Sequence, residues 1–181
     1  MTKYIACFGD SLIQGFPFGP RYSWTAIVEK HAPLKMLNYG LCGDCCDDIY
    51  YRLRQQPLPE YVRHVLFLGG ANDILQFRSQ KMILDDLKKM QRFCIEKQLR
   101  LCIVLPLISA EDELNAHLLP LKEQIVEQFN DCAYLLDLQP AIGLEAGPRK
   151  NAYLDGVHPK ASTYEAMGTY AAPLLAEWVE K

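Results

Sequence analysis

Tyr4-Ile5-Ala6-Cys7-Phe8-Gly9-Asp10-Ser11-Leu12-Ile13-Gln14-Gly15 is the stretch that decides the fold. It begins as a short apolar run of strand character, Tyr4 to Phe8, and breaks sharply at Gly9-Asp10-Ser11. A buried strand ending in such a turn sets the serine hydroxyl at the carboxyl edge of a sheet. In open α/β sheets, ligands bind at that edge, near the point where strand order reverses. The same residues are also ordinary turn chemistry, because Asp and Ser side chains hydrogen-bond the local backbone. Alone, the stretch supports both readings.

The rest of the chain alternates in the same way. The breaker-rich segment Gln14 to Ser23 reads as a loop, and Trp24, Ile27 and Val28 give helical spacing up to about Lys30. Leu34 to Tyr39 is a second strand, followed by a helix from about Asp44 to Gln55 with Asp44 as its N-cap. Val62 to Leu68 is a third strand, running into a turn at Gly69-Gly70-Ala71-Asn72-Asp73. A long helix spans about Ser79 to Gln98, and Leu99 to Leu105 is the fourth strand. A helix over roughly Glu113 to Asn130, with a possible bend at Pro120, precedes a fifth strand at Cys132 to Leu138. Gln139 to Leu154 reads as irregular, and a last helical region runs from just after Pro159 to about Val179, with a kink or break at Pro173. Alternation with near-continuous apolar strands implies a parallel sheet covered by helices on both faces. The expectation is an α/β fold, a doubly wound five-stranded parallel sheet in one domain over residues 1–181.

Composition narrows the function classes. The 181 residues suffice for one sizeable core, and half of them are apolar. A net charge of −3 with no basic cluster gives no reason to expect a nucleic-acid partner. Glu165 and Glu177 interrupt the apolar C-terminal region, so it cannot span a bilayer. Strand character from Tyr4 leaves no room for a signal peptide before it. Seven cysteines, an odd number, fit a reducing compartment better than a disulfide framework. The expected location is cytoplasmic.

In a parallel sheet every strand's carboxyl end opens on one rim. The turns after strands one, two, three and five carry Ser11, then Gly40 and Gly43, then Asn72, then Asp155-Gly156-Val157-His158. A hydroxyl, an imidazole beside a carboxylate and hydrogen-bond donors together make a nucleophilic acyl-transfer site. Asp-Gly is a common turn and His-Pro can simply precede a helix, so the Asp155–His158 spacing has a bland reading as well. On the functional reading, Asp155 fixes the tautomer of His158 and stabilises the imidazolium formed when it takes the serine proton.

Gly9-Asp10-Ser11-Leu12, Gly43, Gly70-Ala71-Asn72-Asp73 and Asp155-Gly156-Val157-His158-Pro159, in that order, resemble the blocks of the GDSL/SGNH hydrolases. The resemblance covers nearly the whole chain. It implies a flavodoxin-like three-layer α/β/α sandwich. It also implies Ser11 as nucleophile, His158 as base, Asp155 as the acid that orients it, and an oxyanion hole of the Ser11 N–H, the Gly43 N–H and the Asn72 amide. Gly40 competes with Gly43 for that role, and the family pattern of Gly-Asp in a short loop favours Gly43. Glycine there lets backbone approach a substrate closely. Asp10 and Asp73 read as turn and supporting residues.

Other candidates are weaker. Cys42-x-x-Cys45-Cys46 has half of a zinc-like spacing and no second pair, so no metal or cofactor is expected. Cys45 and Cys46 would fall in the first turn of the helix capped by Asp44. Surface positions suffice for His31, His64 and His117. Phe16, Phe18 and Trp24 either wall the site or, for Trp24, anchor a helix in the core. The expected function is hydrolysis of small soluble esters with a short acyl group, such as acetyl, through an acyl-serine. The alternatives are a lysophospholipase or thioesterase, an acyltransferase using the same acyl-enzyme, and a catalytically silent binding module. No segment reads as a lid or a membrane-binding helix, so no stable membrane association is expected. Oligomeric state is not legible.

Overall fold

Strand β1, Lys3–Gly9, lies between two parallel neighbours, β2 (Leu34–Gly40) and β3 (His64–Leu68). The register sets Gly9 level with both Gly40 and Leu68, so the three strands end on one line. Strands β4 (Arg100–Val104) and β5 (Tyr134–Leu136) extend the sheet beyond β3, giving the order 2-1-3-4-5, all parallel. The chain moves outward from β1 to β2, then crosses back to β3. Strand order therefore reverses between β1 and β3, and a crevice is expected outside their carboxyl ends. This computed structural model describes residues 2–143 and 150–181.

The period-two alternation of β1 separates two cores. Ile5 and Cys7 point into one, filled by α2 (Trp24–His31) and by α8 (Ala161–Glu180) through Tyr164, Met167 and Leu175. Ala6 and Phe8 point into the other, filled by α3 (Cys46–Gln55), α5 (Gln80–Glu96) and α6 (Asp112–Phe129). The sheet is thus sandwiched between two helical layers, as expected for strands apolar on both faces. Short helices α1 (Ser11–Gln14), α4 (Ala71–Leu75) and α7 (Gln139–Ile142) follow β1, β3 and β5.

Several local expectations need correction. The turn expected at Ala71–Asp73 is the start of helix α4. Asp44 is not the N-cap of α3: its carboxylate is taken by the Arg52 guanidinium at 2.6 Å, and Cys45 occupies the cap position. Helices α6 and α8 continue through Pro120 and Pro173, each losing one backbone donor without ending. Part of the segment expected to be irregular is α7, and its stretch 144–149 lies outside the described residues. His64 is buried rather than at the surface, edge-on to Trp178, and burial, with the Arg100 and Lys3 charges, pushes its imidazole down to about 4.

Candidate active site

Ser11 is the first residue of α1, directly after β1, and the helix exists because Asp10 caps it: the Asp10 carboxylate accepts from the Leu12 N–H at 2.9 Å. Ser11 Oγ lies 3.1 Å from His158 Nε2, although 147 positions separate the two residues. His158 Nδ1 lies 2.7 Å from Asp155 Oδ2. A carboxylate can only accept, so the Nδ1–H donates to it and Nε2 is left to accept the serine proton. Asp155 Oδ1 also takes the backbone N–H of Val157 (3.1 Å) and of His158 (2.8 Å). Burial raises the Asp155 carboxyl, but the two backbone N–H groups and the imidazole outweigh it and leave it below its ordinary value.

Backbone bonds hold this turn in place. Leu154 N donates to His158 O at 2.8 Å, and Ala110 N donates to Gly156 O at 2.7 Å. Gly156 has φ +92°, a left-handed conformation that favours glycine; a Cβ there would meet only the movable end of the exposed Glu111 side chain. The Phe16 ring packs against the His158 ring with centroids 4.6 Å apart, and Tyr164 Oη donates to the Phe16 carbonyl at 3.0 Å.

The donors expected across from the histidine are also on this rim. Gly43 follows β2 with φ +86°, a left-handed conformation that explains glycine there; a Cβ would meet nothing within 4 Å. Within the described residues its N–H has no hydrogen-bond partner. Gly40 is different. Its N–H goes to Asn38 Oδ1 at 3.0 Å, and a Cβ would run into the backbone of Gln14. Asn72, in α4 after β3, donates one amide hydrogen to Asp44 O at 2.9 Å and keeps a second. Two buried carboxyls lie beneath. Burial raises Asp10 to about 7, against the Leu12 N–H and His158, which lower it. Asp73, fully buried, accepts twice from the Cys46 N–H and pairs with Arg78.

The remaining candidates separate. Trp24 is fully buried core, whereas Phe16 and Phe18 are partly exposed, Phe16 against His158 and Phe18 edge-on to Tyr164. Cys42 is exposed; Cys45 and Cys46 are buried, and burial raises both thiols, Cys45 to about 11. Cys45, Asp47 and Asp48 bring ligand atoms within 4.8 Å of one another, but Asp47 is held by Arg78 and Asp48 by the Cys45 N–H. His31 lies beside Glu165, and His117 lines a groove described below. Sequence reading missed Gln14, Gln76 and Arg78. Gln14 Oε1 accepts from the Cys42 N–H at 2.8 Å, and Gln76 Nε2 donates to Gly43 O at 3.4 Å. No motif marks these polar side chains.

Two spaces lie near this rim; Val157 borders both, and neither is lined by Ser11 or His158. An enclosed cavity of about 20 Å³ is bounded by Asp10, Leu12, Ala71, Leu107 and Val157. A groove of about 620 Å³ leads away past Val157 between Leu75, Phe77 and Leu114, with Glu113 and His117 along it. Phe77 projects into solvent at φ +60°, uncommon for an aromatic residue. Among the described residues no helix is long and apolar enough to cross a membrane.

A search of curated proteins finds no match to the chain. Many solved structures share the fold. A member of the lipolytic protein G-D-S-L family from Veillonella parvula superposes with a TM-score of 0.83 at 22% identity, covering 96% of this chain and 98% of that one. The psychrotrophic esterase EstA from Pseudoalteromonas sp., in a structure inhibited by monoethylphosphonate, gives 0.78 at 17% identity, covering 99% and 100%. A lipase/acylhydrolase from Enterococcus faecalis gives 0.78 at 19%, covering 97% and 96%. At these identities the likeness establishes the fold. The family model described as GDSL-like Lipase/Acylhydrolase matches residues 7–166, most of the chain and all four sequence blocks, and the chain therefore belongs to that family of SGNH ester hydrolases.

Proposed function

We propose that this chain hydrolyses small esters with a short acyl group through an acyl-serine intermediate, with Ser11 as nucleophile. The observation that carries the reading is the unbroken run from Ser11 Oγ to His158 Nε2 (3.1 Å) and from His158 Nδ1 to Asp155 Oδ2 (2.7 Å). His158 takes the Ser11 proton as Oγ attacks the ester carbonyl, and Asp155 stabilises the imidazolium that forms. Negative charge then develops on the carbonyl oxygen and is met by the Ser11 N–H, the Gly43 N–H and the second Asn72 amide hydrogen. His158 returns the proton to the leaving alkoxide, which departs as alcohol. Water enters and gives a proton to His158 as it attacks the acyl carbon; His158 then passes that proton to Ser11 Oγ as the acyl–oxygen bond breaks and the acid leaves.

The short acyl group is supported by the small space bounded by Asp10, Leu12 and Val157, the sequence neighbours of Ser11 and His158, whose roughly 20 Å³ has room for about one water molecule or methyl group. A second reading, a longer acyl chain as in a lysophospholipase or thioesterase, is favoured by the groove between Leu75, Phe77 and Leu114. A series of p-nitrophenyl esters of rising acyl length, run beside Ser11→Ala, separates the two. The short-acyl reading expects kcat/KM to be greatest for the acetyl ester and to fall as the acyl chain lengthens. A kcat/KM that climbs through octanoyl and dodecanoyl would assign the groove to the acyl chain. Product analysis with competing alcohols tests acyl transfer. We place the protein in the cytoplasm, since all seven cysteines are free thiols and five of them are buried.

A further inference from the structure

Arg78 lies on the connection between α4 and α5 and touches neither Ser11 nor His158. Its guanidinium nevertheless reaches three carboxylates. Nη1 donates to Asp73 Oδ1 at 2.7 Å and to Asp47, and Nη2 donates to Asp86 Oδ2 at 2.8 Å. Asp73 and Asp86 are almost completely buried, so they demand a fixed cation. Only a planar, branched cation offers several donors in set directions; an ammonium is a point charge.

The arrangement of these contacts along the two chains is informative. Residues Gly43 to Asp47 run alongside residues Asn72 to Arg78, and side chains join them at successive positions. Gln76 reaches the Gly43 carbonyl, Asn72 reaches the Asp44 carbonyl, Asp73 holds the Cys46 N–H at 3.0 Å, and Arg78 holds the Asp47 carboxylate. Arg78 also ties back to its own segment, its N–H donating to Asp73 O at 2.8 Å. The lacing ends on Asp86 of α5, a buried carboxylate that Lys89 also holds, at 2.6 Å. The first segment carries the Gly43 N–H; the second carries the Asn72 amide.

We propose that Arg78 is a positioning residue for catalysis: by locking these two segments together it sets the spacing between the Gly43 N–H and the Asn72 amide. The proposal rests on the reading above that those groups stabilise the oxyanion. Such donors act only when held at hydrogen-bond distance from the place the oxyanion occupies. A guanidinium that fixes their spacing therefore acts on the transition state more than on substrate binding.

The test is a kinetic cycle on the full chain with p-nitrophenyl acetate, at a temperature where circular dichroism shows every variant folded. Arg78→Met, Asn72→Ala and the double variant are compared, with Arg78→Lys to separate charge from geometry. Asp47→Asn removes only the partly exposed end of the lacing and serves if Arg78→Met does not fold. The expectation for Arg78→Met is a kcat lowered by about 10- to 100-fold, short of the roughly 10²–10³ lost with a whole donor, and a KM changed much less. In the Asn72→Ala background the same substitution should cost under about threefold, because residues acting as one unit are not additive. Arg78→Lys should keep most of the defect, and Asp47→Asn should show a smaller defect with the same coupling. An equal factor in both backgrounds, a defect mainly in KM, or full activity in Arg78→Lys would overturn the proposal. Wild-type kcat in Asn72→Ala alone would instead overturn the oxyanion assignment on which it rests.

Discussion

The two halves of the candidate site are organised in opposite ways. The acid–base half is local. Asp155 and His158 are three positions apart, the carboxylate accepts from two backbone N–H groups of its own turn, and half of the Asp155 side chain is exposed. The oxyanion half is tertiary. Gly43 and Asn72 come from different strand ends and are brought together by side chains reaching across 27 to 33 positions of sequence, over a buried carboxylate and Arg78. The turn itself orients the imidazole, and distant residues only seat it: Ala110 bonds the Gly156 carbonyl and Phe16 covers the ring. A spacing between two strand ends has to be held from outside.

Breaking each half should therefore leave different signatures. The largest effect is expected for Ser11→Ala or His158→Ala, with kcat falling on the order of 10⁶ by analogy with other serine triads. Asp155→Asn should cost on the order of 10⁴ in kcat through the wrong histidine tautomer. Its melting temperature should barely move, because the side chain is exposed; a large thermal loss would mean that the turn is not self-contained. Asn72→Ala should lower kcat by about 10²–10³ with a smaller change in KM. It should also lower the melting temperature, since the Asp44 carbonyl loses its donor. A defect mainly in KM would make Asn72 a substrate-binding residue.

Asp10 gives a comparison that turns on pH. Its folded value, about 7, lies above the ordinary carboxylate value, so the folded state keeps a proton that the unfolded chain releases. Stability from this group is full below about pH 4 and is lost as pH rises towards 7. Asp10→Asn cannot ionise. The melting temperature of the wild type minus that of Asp10→Asn should fall between pH 4.5 and pH 8, and a constant or rising difference would show Asp10 ionised in the fold.

The smallest effect concerns Cys42, the one exposed thiol beside Gly43. Burial, then the Asp10 and Asp44 charges, raise its thiol, so it should react slowly at neutral pH. Iodoacetamide should modify Cys42 and Cys132 and spare the five buried thiols. Partial inhibition that a bound substrate analogue slows is expected. Full activity with Cys42 stoichiometrically alkylated would remove that thiol from the surroundings of the donor.

The sheet was legible because its central strands are nearly continuous apolar runs ending in Gly or Pro. Ser11, His158 and Asp155, which the structure brings together, could be singled out because each sits in a short block whose chemistry is local. Helix α4 was not, since five residues after Gly69-Gly70 are too few for a helical period to stand out. The cap of α3 was misassigned because Asp44 faces Arg52, eight positions away, and sequence propensity cannot see that competition. His64 was misplaced for a similar reason. A polar residue opening a strand reads as surface until Trp178 of the last helix covers it. Gln14, Gln76 and Arg78 had no periodic or motif signal, because their partners are set by the crossing of distant segments.

The separation of Ser11 and His158 has a consequence for the order in which the protein is made. Synthesis delivers Ser11 147 positions ahead of His158. All five strands of the sheet precede His158, so a nascent chain can complete its sheet before Ser11 meets the imidazole proposed as its proton acceptor. Tyr164, whose hydroxyl holds Phe16 against His158, emerges later still, and α8 must then dock on α2 to seat it. Ester cleavage in a translation reaction should thus lag behind the appearance of β-structure, making turnover a reporter of the last folding event.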